Sequence, residues 1–185
     1  MRLLGVVGAF WIGSIPFGVL LAGRRGVDIR HQGSGNIGAA NVTRVLGLRA
    51  GLIVLVLDST KGALPTWFAL HHAAPWTVAS TGLAAILGHC FSPWLKWRGG
   101  KGVATALGVF AVLSPLAALV ALGVFAVVFA ATRVPALGSL AGAVAIAVVL
   151  MMRGPAPYAW LAVAITGLLV WTHRSNLRGL KTRAR

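Results

Sequence analysis

The 185-residue chain is 58% hydrophobic and only 10% charged, with a mean hydropathy of +0.87 and a formal net charge of +15. Soluble domains carry about a quarter charged residues, so this composition excludes an ordinary water-soluble domain and indicates a polytopic membrane protein. Two acidic residues, Asp28 and Asp58, and one cysteine, Cys90, argue against a protein-built metal site and rule out a disulfide within one chain. No metal and no cofactor is expected.

The first apolar run, 3–22, contains Gly13 and Pro16 and has no Ala-x-Ala exit before Arg24-Arg25, so it reads as a retained first helix rather than a signal peptide. A loop follows, with Gly33-Ser34-Gly35-Asn36-Ile37-Gly38-Ala39-Ala40-Asn41-Val42-Thr43-Arg44 at its heart. Its glycines let the backbone approach a ligand closely. Ser34, Asn36 and Asn41 add hydrogen-bonding groups, and Arg44 a fixed positive charge. A plain connector also carries Gly, Ser and Asn, but the crowding of these groups at a membrane edge favours an anion site. It is not a Walker A loop, since Gly-Lys-Ser/Thr is missing.

The run 50–72 encloses Asp58-Ser59-Thr60-Lys61-Gly62. Charges inside a span tend to mark function, and residues three apart share a helix face. Asp58 and Lys61 therefore read either as a structural ion pair or as substrate contacts. The run 76–95 ends in Gly88-His89-Cys90, where His89 fits a general base or a structural histidine, and Cys90 a small apolar residue. Arg98-Gly99-Gly100-Lys101-Gly102 then precedes another apolar run. Free backbone N–H groups, a helix N-terminus and the Lys101 ammonium would suit a phosphate; the plainer reading is a basic anchor between Trp94 and Trp97. The run 103–131 is too long for one simple crossing and carries Ser114-Pro115, a helix break or start. Runs 134–152, with Ser139, and 156–172 follow, and His173-Arg174-Ser175-Asn176 opens a basic tail.

Charge placement separates one crossing from two in 103–131. With two crossings, Arg24, Arg25, Arg30, Arg44, Arg49, Lys96, Arg98, Lys101, Arg133, Arg174, Arg178, Lys181, Arg183 and Arg185 share one side, against Arg2 and Arg153 on the other. The positive-inside rule selects that arrangement. The expectation is an all-α bundle of seven transmembrane helices, residues 1–185 forming one domain, N-terminus outside and C-terminus cytoplasmic. Two of its spans are short, about 12 and 16 residues, or roughly 18 and 24 Å. The basic residues sit beside apolar runs and no nucleic-acid motif appears, so membrane lipids and anionic substrates are the expected partners, and nucleic acid is not.

Gly13-Ser14-Ile15-Pro16-Phe17-Gly18, the 33–44 loop, Asp58-x-x-Lys61-Gly62, Gly88-His89 and Gly99-Gly100-Lys101-Gly102-Val103-Ala104-Thr105 together resemble the bacterial acyl-phosphate:glycerol-3-phosphate acyltransferases, the PlsY family. The resemblance covers nearly the whole chain in matching order. It implies a seven-helix enzyme of the bacterial cytoplasmic (inner) membrane. Such an enzyme moves a fatty acyl group from acyl phosphate to the 1-hydroxyl of sn-glycerol 3-phosphate, releasing phosphate. It also implies roles: Ser34, Asn36 and the Gly99–Gly102 loop at the acyl-phosphate headgroup, and Arg44, Lys101, Ser139, His173 and Asn176 on glycerol 3-phosphate. Gly33, Gly35 and Asn41 fall in the same binding loop. The chain departs from the family in having Ala136 where a hydroxyl is common, and a tail without the usual glutamate.

An acyl phosphate is already activated, so its transfer needs positioning and charge stabilisation more than a strong nucleophile. His89 is followed five residues on by Trp94, so the common His-Asp acyltransferase pair is absent. The expected step is direct attack by the glycerol hydroxyl, its proton passing to a substrate phosphate oxygen; His173 and His89 are the other candidate acceptors. The rival class is a membrane transporter for a phosphorylated metabolite, which often shows internal repeats; none is found here.

Overall fold

The computed structural model describes residues 2–183, with side chains for 3–178. The end of the basic tail, Ala184 and Arg185, lies outside the described residues, and the side chains of Lys181 and Arg183 are likewise not described. The described chain is all-helical: α1 (Arg2–Ser14), α2 (Phe17–Gly23), α3 (Ala39–Leu46), α4 (Leu48–His72), α5 (Pro75–Cys90), α6 (Val103–Leu113), α7 (Pro115–Thr132), α8 (Pro135–Arg153), α9 (Ala156–Thr172) and α10 (Arg174–Arg183). Five segments are long and apolar enough to cross a membrane: Leu3–Gly23, Leu48–His72, Pro75–Leu95, Pro115–Thr132 and Pro135–Arg153. Val103–Leu113 and Ala156–Thr172 are shorter apolar helices. The chain forms two compact units, Met1–Leu113 and Ser114–Arg185.

In the first unit, glycines set helix spacing. A side chain at Gly13 of α1 would meet the Ala85 carbonyl of α5, and one at Gly88 of α5 would meet the Phe10 carbonyl of α1. α4 and α6 cross through the same device: Gly62 lies against the Thr105 carbonyl and Gly108 against the Ser59 carbonyl. Close approach at small residues supplies the dispersion contacts that hold helices together where lipid offers no hydrophobic drive.

The first apolar run is not one continuous helix. Pro16 has no N–H and separates α1 from α2, which leaves carbonyls at the break without helical donors. Distant residues supply them. Lys61 Nζ donates to the Ile15 carbonyl at 2.7 Å, and Ser92 Oγ to the Ser14 carbonyl at 2.7 Å. Trp94 Nε1 donates to Ser14 Oγ at 2.9 Å, fixing the same corner from the membrane edge.

In the second unit, α7 and α8 form a hairpin through Arg133 and Val134. Arg133 takes the left-handed conformation, φ 57°, that ends α7. Gly138 packs on Phe125 and Gly142 faces the Ala121 carbonyl, so the two helices run antiparallel. α9 returns along α8, where Thr166 Oγ1 donates to the Ala143 carbonyl at 3.2 Å. The break inside 103–131 falls at Ser114: its Oγ accepts the Ala117 N–H at 3.3 Å, and Pro115 opens α7.

Candidate active site

The 33–44 segment is a built loop. Gly33 and Gly35 adopt φ of 59° and 70°, the left-handed region that an L side chain resists. Asn41, in the first turn of α3, is the post around which the loop winds. Its Oδ1 accepts the Ser34 N–H at 2.8 Å, and its Nδ2 donates to the carbonyls of Gln32 and Asn36, each at 2.9 Å. Asn41 is 2% exposed, and a side chain at Gly33 would strike its Oδ1. The Asn41 amide is bonded to the loop backbone, and it shapes the loop. Asn36 Oδ1 accepts the Gly38 N–H at 2.8 Å, fixing the turn into α3. Ser34 is exposed and Asn36 half-buried. Arg44 follows one helical turn after Asn41, and its Nη1 reaches Asn41 Oδ1 at 3.4 Å. Gly18 of α2 abuts the Ile37 carbonyl, so the loop rests directly on the helix before it.

The second glycine loop corrects an expectation. The N–H groups of Gly99 and Gly100 are not free for an anion. They donate to the carbonyls of Cys90 and His89, each at 3.0 Å, and so close the C-terminus of α5. The donors move two residues on. Gly102 takes φ 89° and its carbonyl accepts the Ala106 N–H at 2.8 Å. Val103, Ala104 and Thr105 then begin α6, where first-turn N–H groups have no partner within the helix. Lys101 stands at this helix mouth, half-buried. Burial first, and the Arg44 charge second, hold its ammonium below the usual lysine range. Lys101 and Arg44 of α3 are thus two cations near enough to repel one another.

Both carboxylates are engaged by other partners. Asp28 is bound by Arg30 at 2.8 Å and by His31 at 3.0 Å, and the Arg30 hydrogen bonds hold its carboxyl well below the ordinary range. Asp58 lies 2.8 Å from Lys61 Nζ, both nearly fully enclosed. Since Lys61 also holds the Ile15 carbonyl, the pair is a structural tie between α4 and the α1–α2 corner. His89, 4% exposed, sits 3.8 Å from Asp58. Cys90 is buried, as expected of a small apolar residue.

In the second unit, Ser139 lies in the second turn of α8, its Oγ donating to the Pro135 carbonyl at 2.9 Å. His173 ends α9, buried, and the Leu169 carbonyl 2.8 Å from its Nδ1 requires the proton there. Its Nε2 is then an acceptor in the neutral ring. Because α8 and α9 are antiparallel and linked by a short turn at Gly154-Pro155, Ser139 and His173 occupy the same end of that hairpin. Asn176 follows in the first turn of α10, half-buried. Thr105 ends the second glycine motif. Its hydroxyl is fully buried without a hydrogen-bond partner, at the α4–α6 crossing one turn beyond Lys101.

The glycerol-3-phosphate acyltransferase family model matches residues 3–183 of this chain. The chain belongs to that family. A glycerol-3-phosphate acyltransferase of Myxococcus xanthus (strain DK1622) is 52% identical over 175 residues, covering 92% of this chain and 91% of that relative. One of Aquifex aeolicus (strain VF5) is 39% identical over 180 residues, covering 96% and 94%. The crystal structure of PlsY, an integral membrane glycerol 3-phosphate acyltransferase, in its glycerol 3-phosphate form superposes with a TM-score of 0.95. It is 39% identical and covers 98% of this chain and 92% of that one. Its lysophosphatidic acid form gives 0.93. The chain is thus an acyltransferase of phospholipid synthesis and a multi-pass membrane protein.

Proposed function

We propose that this enzyme transfers a fatty acyl group from acyl phosphate to the 1-hydroxyl of sn-glycerol 3-phosphate. The hydroxyl oxygen attacks the acyl carbonyl carbon, and the carbonyl–phosphate C–O bond breaks. The hydroxyl proton passes to a phosphate oxygen, giving 1-acyl-glycerol 3-phosphate and inorganic phosphate. The observation that carries the reading is the proximity of Lys101, at the mouth of α6, to Arg44 of α3, the helix that the first glycine loop leads into, while both carboxylates of the chain are engaged elsewhere. Such a site favours phosphate groups and supplies the charge stabilisation that a good leaving group requires.

We assign Ser34, Asn36, Gly33 and Gly35 to the donor headgroup, with the Gly99–Gly102 loop contributing through Gly102 and the first turn of α6, because the Gly99 and Gly100 N–H groups are bonded to the end of α5. We assign Arg44, Lys101, Ser139, His173 and Asn176 to glycerol 3-phosphate, as the family resemblance implies. His173 Nε2 is the second candidate for the proton. The family match runs through both compact units, which supports one catalytic domain over residues 1–185. Five long and two short apolar helices, with the distribution of basic residues, support seven crossings. They also support an external N-terminus, a cytoplasmic C-terminus and residence in the bacterial inner membrane. The test is donor choice. Purified protein in detergent should form product from acyl phosphate and not from acyl-CoA or acyl carrier protein; comparable rates with a thioester would defeat the donor assignment.

A further inference from the structure

His89 is enclosed at the last turn of α5, and one edge of its ring touches the backbone of the loop that carries Lys101. A Cβ at Gly100 would collide with His89 Nε2 and stand 2.8 Å from Cε1 and 3.1 Å from Cδ2. The same residue's carbonyl accepts the Gly100 N–H at 3.0 Å, while Cys90 does so for Gly99. The opposite ring edge faces Asp58 at 3.8 Å, beyond hydrogen-bond reach, and Nδ1 has no hydrogen-bond partner although buried. Asp58 is in turn held by Lys61, and Lys61 by the Ile15 carbonyl. A continuous contact path thus runs from the α1–α2 corner through Lys61, Asp58 and His89 to Gly100, one residue before Lys101.

We propose that His89 is a positioning residue: its ring is the spacer that sets the distance between the Asp58–Lys61 pair and Gly100, and so sets where the loop presents Lys101. A buried polar ring edge without a hydrogen bond costs free energy, so an imidazole is a poor choice for filling space alone. Its enclosure also argues against a base, because the ring meets backbone and a paired carboxylate rather than an open cleft. Gly100 is the other half of the device. Only a residue without a Cβ lets ring and loop meet at this spacing. The inference rests on reading Lys101 as a phosphate contact.

A double-mutant cycle tests it on purified full-length protein in detergent. The measured quantities are kcat, the KM for glycerol 3-phosphate, and thermal unfolding. Gly100→Ala should push the loop off the ring and lower kcat/KM about a hundredfold, the scale of a 1 Å misplacement. His89→Ala should cost about tenfold. The double variant should recover, to at least about tenfold above Gly100→Ala alone, because the added methyl enters the space the ring has left; contacting residues couple in this way, whereas independent sites would multiply their losses. His89→Gln, which fills much of the space but cannot act as a base, should keep most of the activity and the wild-type pH profile. A double variant at or below the product of the single losses would overturn the proposal. So would a folded His89→Gln with a loss of about a hundredfold or more, the range of a missing general base. If Gly100→Ala does not fold, adding His89→Ala should restore folded and active protein, and failure to do so counts against the proposal. Wild type and Lys101→Ala run in the same assay. An inactive wild type or a fully active Lys101→Ala would strike the underlying site reading, whereas absent coupling would strike this inference alone.

Discussion

Lys101→Ala removes one positive charge from the mouth of α6. Two unit charges 4 Å apart attract by about 4 kcal/mol at an effective dielectric constant of about 20. Lys101 is half-buried, so solvent screens part of this, and Arg44 is a second cation near enough to act on it. Keeping roughly two-thirds of the full figure leaves about 2.7 kcal/mol, or about a hundredfold in rate. Phosphate release from acyl phosphate and glycerol 3-phosphate should fall by that factor, with part of the loss in the KM for glycerol 3-phosphate. Thermal stability should change little, because Lys101 lies between helices and is only half-buried. Lys101→Arg should rescue poorly, since a planar fork does not replace a compact ammonium between glycines. The pH dependence follows the same charge. Without ligand the Lys101 pKa is below its unfolded value, so between the two values the unfolded chain binds more protons and stability rises with pH. A bound phosphate anion favours the charged form. Affinity for glycerol 3-phosphate should therefore be full below the free-state pKa and decline as pH rises through it. Near-normal activity of Lys101→Ala, or an affinity that rises through that window, would refute the reasoning.

Asn41→Ala should release the Ser34 N–H and the Gln32 and Asn36 carbonyls together, lowering thermal stability by about 2 kcal/mol for buried groups left unbonded; activity should fall with it, and an unchanged melting temperature would show the loop holds itself. Lys61→Met leaves Asp58 buried without its partner and should destabilise by about 3 kcal/mol, with partial recovery on adding Asp58→Asn; additive losses would deny the pair. A single cysteine placed at Leu116, with Cys90 replaced, should be labelled by an impermeant thiol reagent from the outside of intact cells; labelling from the cytoplasm only would reject two crossings through Val103–Thr132.

The break at Ser114-Pro115 was legible in the sequence because its cause is local: a proline without an N–H beside a hydroxyl that caps. The break at Pro16 was less so. Its stability depends on Lys61, Ser92 and Trp94, which donate across 46, 78 and 80 residues to the corner. The Asp58–Lys61 pair could be read from its spacing of three, but not its role, which is fixed by the Ile15 carbonyl. Glycine-rich loops were readable as loops near phosphate chemistry. Which N–H groups face a ligand was not, because glycine serves equally to close a helix end, as Gly99 and Gly100 do, and to open one, as Gly102 does. Asn41 shows the same limit: a buried amide that organises a loop and an exposed one that binds a ligand look alike in one dimension.

The most direct test of the central claim is the stoichiometry of one reaction with purified, detergent-solubilised protein, acyl phosphate and glycerol 3-phosphate. The account predicts equal amounts of 1-acyl-glycerol 3-phosphate and inorganic phosphate, formed without any added cofactor and without a membrane to cross. No product in a folded preparation, alongside uptake of glycerol 3-phosphate into vesicles containing the protein, would contradict it and identify a transporter instead.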